Sequence, residues 1–185
     1  VFAPDNTPLS NTTWAYDSMG NRLSQTQDGI STFYTYNNLD QLVSTESGGA
    51  LSTYSYDPRG NLLQTVSPTG TTTYTWDARD RMTGVVLPDT SQVSYAYDHE
   101  NRRVASTEAG QTTSYLWDRL SVYGDVVAEY DSTGAAVVEY TLGGGRLISQ
   151  ERGGDTRYYL ADGQNSTRNL TNELGAITDS YRYAA

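Results

Sequence analysis

An aromatic-x-aromatic-Asp beat recurs along this chain and constrains its fold more than any other feature. Trp14-Ala15-Tyr16-Asp17, Tyr34-Thr35-Tyr36-Asn37, Tyr54-Ser55-Tyr56-Asp57, Tyr74-Thr75-Trp76-Asp77, Tyr95-Ala96-Tyr97-Asp98 and Tyr115-Leu116-Trp117-Asp118 carry it. The second aromatic falls at 16, 36, 56, 76, 97 and 117, so the steps are 20, 20, 20, 21 and 20 residues. A fixed period of this length marks a repeat architecture. One such unit is too small to bury an apolar face alone, so stability must come from its neighbours. That moves the expectation away from enzymes and towards scaffolds, walls and binding surfaces.

Each repeat reads as a hairpin. Tyr54 and Tyr56 are two apart and face the same side of a strand. In Asp57-Pro58-Arg59-Gly60, Pro fits the second position of a type I turn, and Asp can bond the backbone two residues on. Asn61 to Val66 is the return strand. The position three after the acid holds Gly20, Asp40, Gly60, Asp80 and Asn101, and Gly134 in a later beat. All are residues that tolerate the left-handed region. A second turn is marked by Asp28-Gly29, Gly48-Gly49, Thr69-Gly70, Asp89 and Gly110. Two turns per period leave two strands of about 6 residues each. The expected fold is therefore all-β: consecutive antiparallel hairpins forming one long sheet, which its own twist coils.

The period loosens after Asp118. Tyr130-Asp131-Ser132-Thr133-Gly134 is one more clear beat, followed by longer strands and Gly143-Gly144-Gly145. We expect residues 1–118 to form regular repeats and 119–185 to continue the same sheet less regularly, within a single repeat domain. Tyr181-Arg182-Tyr183 opens a further beat, so the chain is expected to be a segment of a longer protein.

Acidic residues outnumber basic ones by 22 to 12, for a net charge of −10. A nucleic-acid partner calls for a basic face, and an anionic membrane surface does too. No apolar run is long enough to span a bilayer as a helix, so membrane insertion is not expected. There is no cysteine, and every basic residue is arginine. Arginine stacks on aromatic rings and pairs with carboxylates through a planar fork, which suits a tyrosine-rich sheet.

No catalytic, metal or cofactor constellation is visible. His99, the only histidine, sits in a turn without a nucleophile or second histidine. The beat acids Asp17, Asp57, Asp77, Asp98, Asp118 and Asp131 offer one or two carboxylates per turn, too few oxygens for calcium, and read as turn caps. The aromatic ladder could stack on sugars, but sheet packing accounts for it. Gly143-Gly144-Gly145-Arg146 lacks the Lys-Ser/Thr of a phosphate loop. Asn11-Thr12-Thr13, Asn165-Ser166-Thr167 and Asn169-Leu170-Thr171 match glycosylation sequons.

The beat resembles the tyrosine–aspartate repeats of the Rhs/YD-repeat family, whose pattern is closest here in Tyr54-Ser55-Tyr56-Asp57-Pro58-Arg59-Gly60-Asn61-Leu62. The stretch Tyr158 to Arg168 resembles the family's late segment, with Gln164-Asn165 where the family usually has Leu-Gly. The resemblance covers nearly the whole chain. It implies a hollow β-shell, secreted or at the cell surface, with this chain as wall. The partners it implies are further repeats of the same chain and an enclosed C-terminal toxin domain. The family's self-cleaving protease motif lies further downstream, so no catalytic residue is carried over. An extracellular filament, wall-associated or adhesin module built from the same hairpins, associating through open sheet edges, is the alternative.

Overall fold

The computed structural model describes residues 11–120 and 124–183. Seventeen β-strands and no helix occur among them, as the all-β expectation requires. Contacts gather into two compact units, Val1–Ser94 and Tyr95–Ala185. Within each unit, strands consecutive in sequence pair antiparallel.

The first unit contains β1 (Thr12–Tyr16), β2 (Arg22–Gln27), β3 (Ile30–Tyr36), β4 (Leu42–Ser47), β5 (Ala50–Tyr56), β6 (Leu62–Ser67), β7 (Gly70–Trp76), β8 (Met82–Val86) and the start of β9 (Gln92–Tyr97). Five-residue turns at 17–21, 37–41, 57–61 and 77–81 close one end of the strands. Two-residue turns at 28–29, 48–49 and 68–69 close the other. Beside each of these four five-residue turns the pairing slips by one residue. Leu23, Val43, Leu63 and Thr83 each lack a partner on the facing strand. These are β-bulges, which raise the local twist and re-aim the neighbouring side chains. Pairs joined by the two-residue turns keep an unbroken register.

One connection departs from the scheme. The sequence marks the turn between β8 and β9 at Asp89, and the structure spreads it over Leu87–Ser91. The Leu87 N–H donates to the Ser91 carbonyl at 2.9 Å, and Thr90 takes the left-handed position at φ 71°. This wider turn, with a shorter β8, absorbs the one 21-residue step. Pro88 in the turn packs where Gly70 has no side chain: a Cβ there would lie 2.6 Å from the Pro88 Cβ.

Cross-strand pairing places Tyr34, Tyr36, Tyr54, Tyr56, Tyr74 and Trp76 on one face, with Leu42, Leu62 and Met82 opposite the second aromatics. The other face is mostly hydroxylic: Ser44, Thr53 and Thr73 lie on it beside Phe33 and Leu51. No described side chain of this unit is fully buried. Its strands are held by ladders and side-chain contacts along the sheet rather than by a second layer.

The second unit contains the rest of β9, then β10 (Arg103–Glu108), β11 (Gln111–Asp118), β12 (Asp125–Tyr130), β13 (Ala136–Gly143), β14 (Arg146–Arg152), β15 (Asp155–Ala161), β16 (Thr167–Thr171) and β17 (Ile177–Ser180). Here the turn types no longer keep to their ends. The five-residue turns at 98–102 and 131–135 sit at opposite ends of the strands, and two-residue turns at 144–145 and 153–154 follow one another. This unit holds the only fully buried apolar side chains among the described residues: Ala128, Val138 and Leu170.

Candidate functional site

The beat acid organises its turn by hydrogen bonding. Asp57 Oδ1 accepts the N–H groups of Arg59 and Asn61 at 2.8 and 2.9 Å, and Oδ2 accepts the Asn61 side-chain amide at 2.9 Å. The Gly60 N–H donates to the Asp57 carbonyl at 3.0 Å, closing the β-turn. The same acceptor role falls to Asp17, Asn37, Asp77, Asp98 and Asp131, each towards the second and fourth residues on. Asp118 accepts the Leu120 N–H at 2.8 Å, and the rest of its turn lies outside the described residues. Only a short side chain with an acceptor oxygen reaches both donors, which is why Asn serves at 37. Two turns that the aromatic beat does not flag are built alike, on Asp162 and Asn172. An Asp or Asn followed three residues later by Asn165 or Gly175 could have found them.

These bonds favour the ionised acids. The Asn61 amide, followed by the backbone N–H of Asn61, holds the Asp57 carboxyl below the usual carboxylate range. Arg81 does so for Asp77, and the Thr133 hydroxyl for Asp131. At the position three after the acid, φ is 92° at Gly20, 56° at Asp40, 93° at Gly60, 60° at Asp80, 66° at Asn101 and 85° at Gly134.

Where Asp occupies that left-handed position, it also reaches the preceding turn. The Asn21 amide donates to Asp40 at 2.9 Å, and the Asn61 amide to Asp80 at 2.8 Å. Arg59 adds a bond to the Ala78 carbonyl at 3.0 Å and an ion pair to Asp80 at 3.3 Å. These links are exposed, so each contributes about 0–1 kcal/mol.

The aromatics act as staples. The second aromatic of a beat donates to the backbone carbonyl of the first residue of the preceding strand. Tyr36 reaches Arg22 at 3.1 Å, Tyr56 reaches Leu42 at 2.8 Å, Trp76 reaches Leu62 at 2.8 Å and Trp117 reaches Arg103 at 3.0 Å. Arg22, Leu42 and Leu62 each directly precede the bulged residue. The first aromatic bonds a hydroxyl on the preceding strand, Tyr54 with Thr45 and Tyr115 with Ser106. Each staple crosses from one hairpin to the next and pins the end remote from the two-residue turn. Tyr16 lies opposite Arg22 and is 54% exposed, while Tyr97 lines the hollow of the second unit. Tyr130 pairs with Ala136 beside the 131–135 turn.

In the second unit the aromatic face lines an open hollow of about 740 Å³, bordered by Arg103, Trp117, Glu129, Tyr140 and Tyr159 among others. Tyr140 donates to Glu129 Oε1 at 2.6 Å, and burial followed by this bond raises its phenol above the usual range. Tyr159 donates to Gln150 at 2.7 Å. None of Arg103, Glu129, Tyr140 or Tyr159 stands out in the sequence as a site residue, since their spacing follows no period.

The beat carboxylates are spent on backbone donors, and the structure does not converge them into an acid–base pair. His99 sits beside Glu100 in the 98–102 turn, 3.7 Å away. Among the described residues, no group of three His, Cys, Asp or Glu could hold a metal ion.

The Teneurin YD-shell family profile matches residues 4–184. No curated protein sequence matches the chain. Among solved structures, the crystal structure of TcdB2-TccC3-TEV is similar at a TM-score of 0.50 and 12% identity, over 91% of this chain and 12% of that one. The structure of the Photorhabdus luminescens Tc holotoxin pore gives 0.42 at 18% identity, over 97% of this chain and 13% of that one. At 12% identity the first of these likenesses is one of fold alone. The chain spans about an eighth of the first of these structures, 12% of its length.

Proposed function

The chain belongs to the Teneurin YD-shell family, and from that premise we propose that it is a length of wall in a secreted or surface-displayed β-shell that encloses a polypeptide cargo. The observation that carries this reading is the staple. Tyr36, Tyr56 and Trp76 each tie one hairpin to the hairpin before it, through a carbonyl that the bulge re-aims. Such a unit needs a like unit on either side and adds without a change of design. A wall is what results when strands are joined edge to edge with no second layer.

On this reading the partners are further repeats of the same chain and an enclosed C-terminal toxin domain. Residues 1–118 are regular wall and 119–185 continue it less regularly. The motif residues from Tyr16 and Asp17 to Tyr130, Asp131 and Gly134 are structural. The role is structural rather than catalytic.

Electron microscopy of the full-length parent protein tests it. A closed hollow particle with density inside is the expected result. An open rod or fibre would overturn encapsulation and favour a filament or adhesin that associates through its sheet edges.

A further inference from the structure

Tyr140 and Glu129 form a titratable pair that a wall does not require. The Tyr140 hydroxyl donates to Glu129 Oε1 at 2.6 Å, a length typical of a charge-assisted bond to a carboxylate. Both side chains are half-buried. An oxidised phenol is a strong acid, so its proton leaves with the electron. The electron goes most readily where a base already stands within hydrogen-bond reach of that proton. Tyr36, Tyr56 and Tyr183 donate instead to backbone carbonyls, and Tyr159 to the Gln150 amide oxygen, none of which is a base.

Nearby charge acts in the same direction. An electron is harder to remove beside a cation and easier to remove beside an anion. The Arg103 guanidinium lies 5.1 Å from the Tyr95 ring centre and 5.5 Å from that of Tyr115. Arg22 stands 5.8 Å from the Tyr34 ring centre, and Arg168 stands 5.5 Å from that of Tyr183. At Tyr140 the Glu129 charge outweighs that of Arg152. Burial, followed by the bond to Glu129, holds the Tyr140 phenol protonated above its usual range. The electron therefore leaves a neutral phenol rather than a phenolate.

We propose that Tyr140 is a redox-active tyrosine, which yields one electron to an oxidising radical while Glu129 takes the proton. The oxidant belongs to the one-electron class that peroxidases form from peroxide. The O–H bond of Tyr140 breaks, and an O–H bond forms on Glu129 Oε1. The products are a neutral tyrosyl radical, a protonated Glu129 and the oxidant reduced by one electron. The site does not rest on the chain being part of a closed shell.

The test gives the chain one oxidising equivalent of photogenerated tris(bipyridine)ruthenium(III) and reads the frozen sample by electron paramagnetic resonance. A nitroso spin trap with peptide mapping then locates the radical. A persistent tyrosyl signal and a trap adduct on Tyr140 are expected. Tyr140→Phe should remove the persistent signal, and Tyr159→Phe should leave it unchanged. Glu129→Gln keeps an acceptor for the hydroxyl but takes no proton, and it should remove the signal too. The adduct map uses the unaltered chain, so it decides the matter even where a variant fails to fold. Adducts spread over the exposed Tyr16, Tyr181 and Tyr183, or a tryptophanyl signal in place of the tyrosyl one, overturn the proposal. So does a signal lost in the Phe variant but kept in Glu129→Gln, which removes Glu129 as the proton acceptor.

Discussion

In the first unit the four aromatic-led turns, at 17–21, 37–41, 57–61 and 77–81, close the same end of the strands. In the second, the corresponding turns at 98–102 and 131–135 close opposite ends. That single change of parity accompanies every other difference. With the bulge always at one end, each strand repeats the geometry of its predecessor, and Tyr36, Tyr56 and Trp76 find the same backbone carbonyl two strands further on. In the second unit Tyr140 bonds the Glu129 carboxylate, while Trp117 and Tyr183 still bond backbone carbonyls and Tyr159, like Tyr54, bonds a side chain on the preceding strand. Val138 and Leu170, which lie on the aromatic face opposite Glu129 and Tyr159, are buried in this unit. Strict repetition yields a sheet held by bonds along its plane. Broken repetition comes with a few buried apolar side chains and a hollow on the aromatic face.

Core truncation should divide the units most sharply. Val138 is 1% exposed, and Val138→Ala should lower stability by about 2 kcal/mol through lost burial and the cavity left behind. Val66 is 41% exposed, and Val66→Ala should stay within about 0.5 kcal/mol. Denaturant melts of the two variants measure this, and equal losses would break the comparison.

Backbone strain comes next. Gly60 has φ 93°, and Gly60→Val should cost about 1–2 kcal/mol or more by forcing a β-branched residue there. Gly60→Asn should cost only a few tenths of that scale, about 0.5 kcal/mol, because Asn101 already occupies the equivalent position at φ 66°. Matching melts for the Val variant and the parent would remove the turn argument.

Staple removal should be smaller. Tyr56→Phe deletes the bond to the Leu42 carbonyl, worth about 1 kcal/mol. Because that bond joins hairpins, hydrogen exchange should quicken first in β4 and β5 (Leu42–Ser47 and Ala50–Tyr56). A uniform change across the first unit would mean that the staple is not local.

Acid sensitivity should be the smallest effect and common to both units. Asp57 and Asp131 have carboxyls lowered in the folded chain, so their contribution is fully present above the unfolded value, about 3.9. It is lost as pH falls through the lower folded values. Stability should therefore be flat on this account from pH 8 to 5 and decline below about 4. Asp57→Asn, which copies Asn37, should remove its share of that decline. A decline confined to one unit, read by hydrogen exchange, would sharpen the contrast between them.

Much of this was legible in the residues. The alternation of Tyr54 and Tyr56, the acid at 57 and the glycine at 60 specify strand, turn and left-handed residue locally. The staple was not legible, because the Leu42 carbonyl becomes reachable only through the bulge at Val43 on the neighbouring strand. Nor was the turn at Leu87–Ser91, where Pro88 and Gly70 pack together although they are far apart in the chain. The turns at Asp162 and Asn172 lack the aromatic-x-aromatic pair directly before the turn residue, so the beat does not flag them, although the stretch Tyr158 to Arg168 stands out by its resemblance.

The sequence by itself determined the hairpin, its period and its turn chemistry, since those depend on residues within one turn of each other. Which atoms each aromatic bonds, and the gathering of Arg103, Glu129, Tyr140 and Tyr159 around one hollow, were decided only in three dimensions. Those contacts join strands whose register depends on bulges and on the parity of the turns between them. A one-residue slip in pairing moves every side chain to the other face, and no local pattern at 103, 129, 140 or 159 records the outcome.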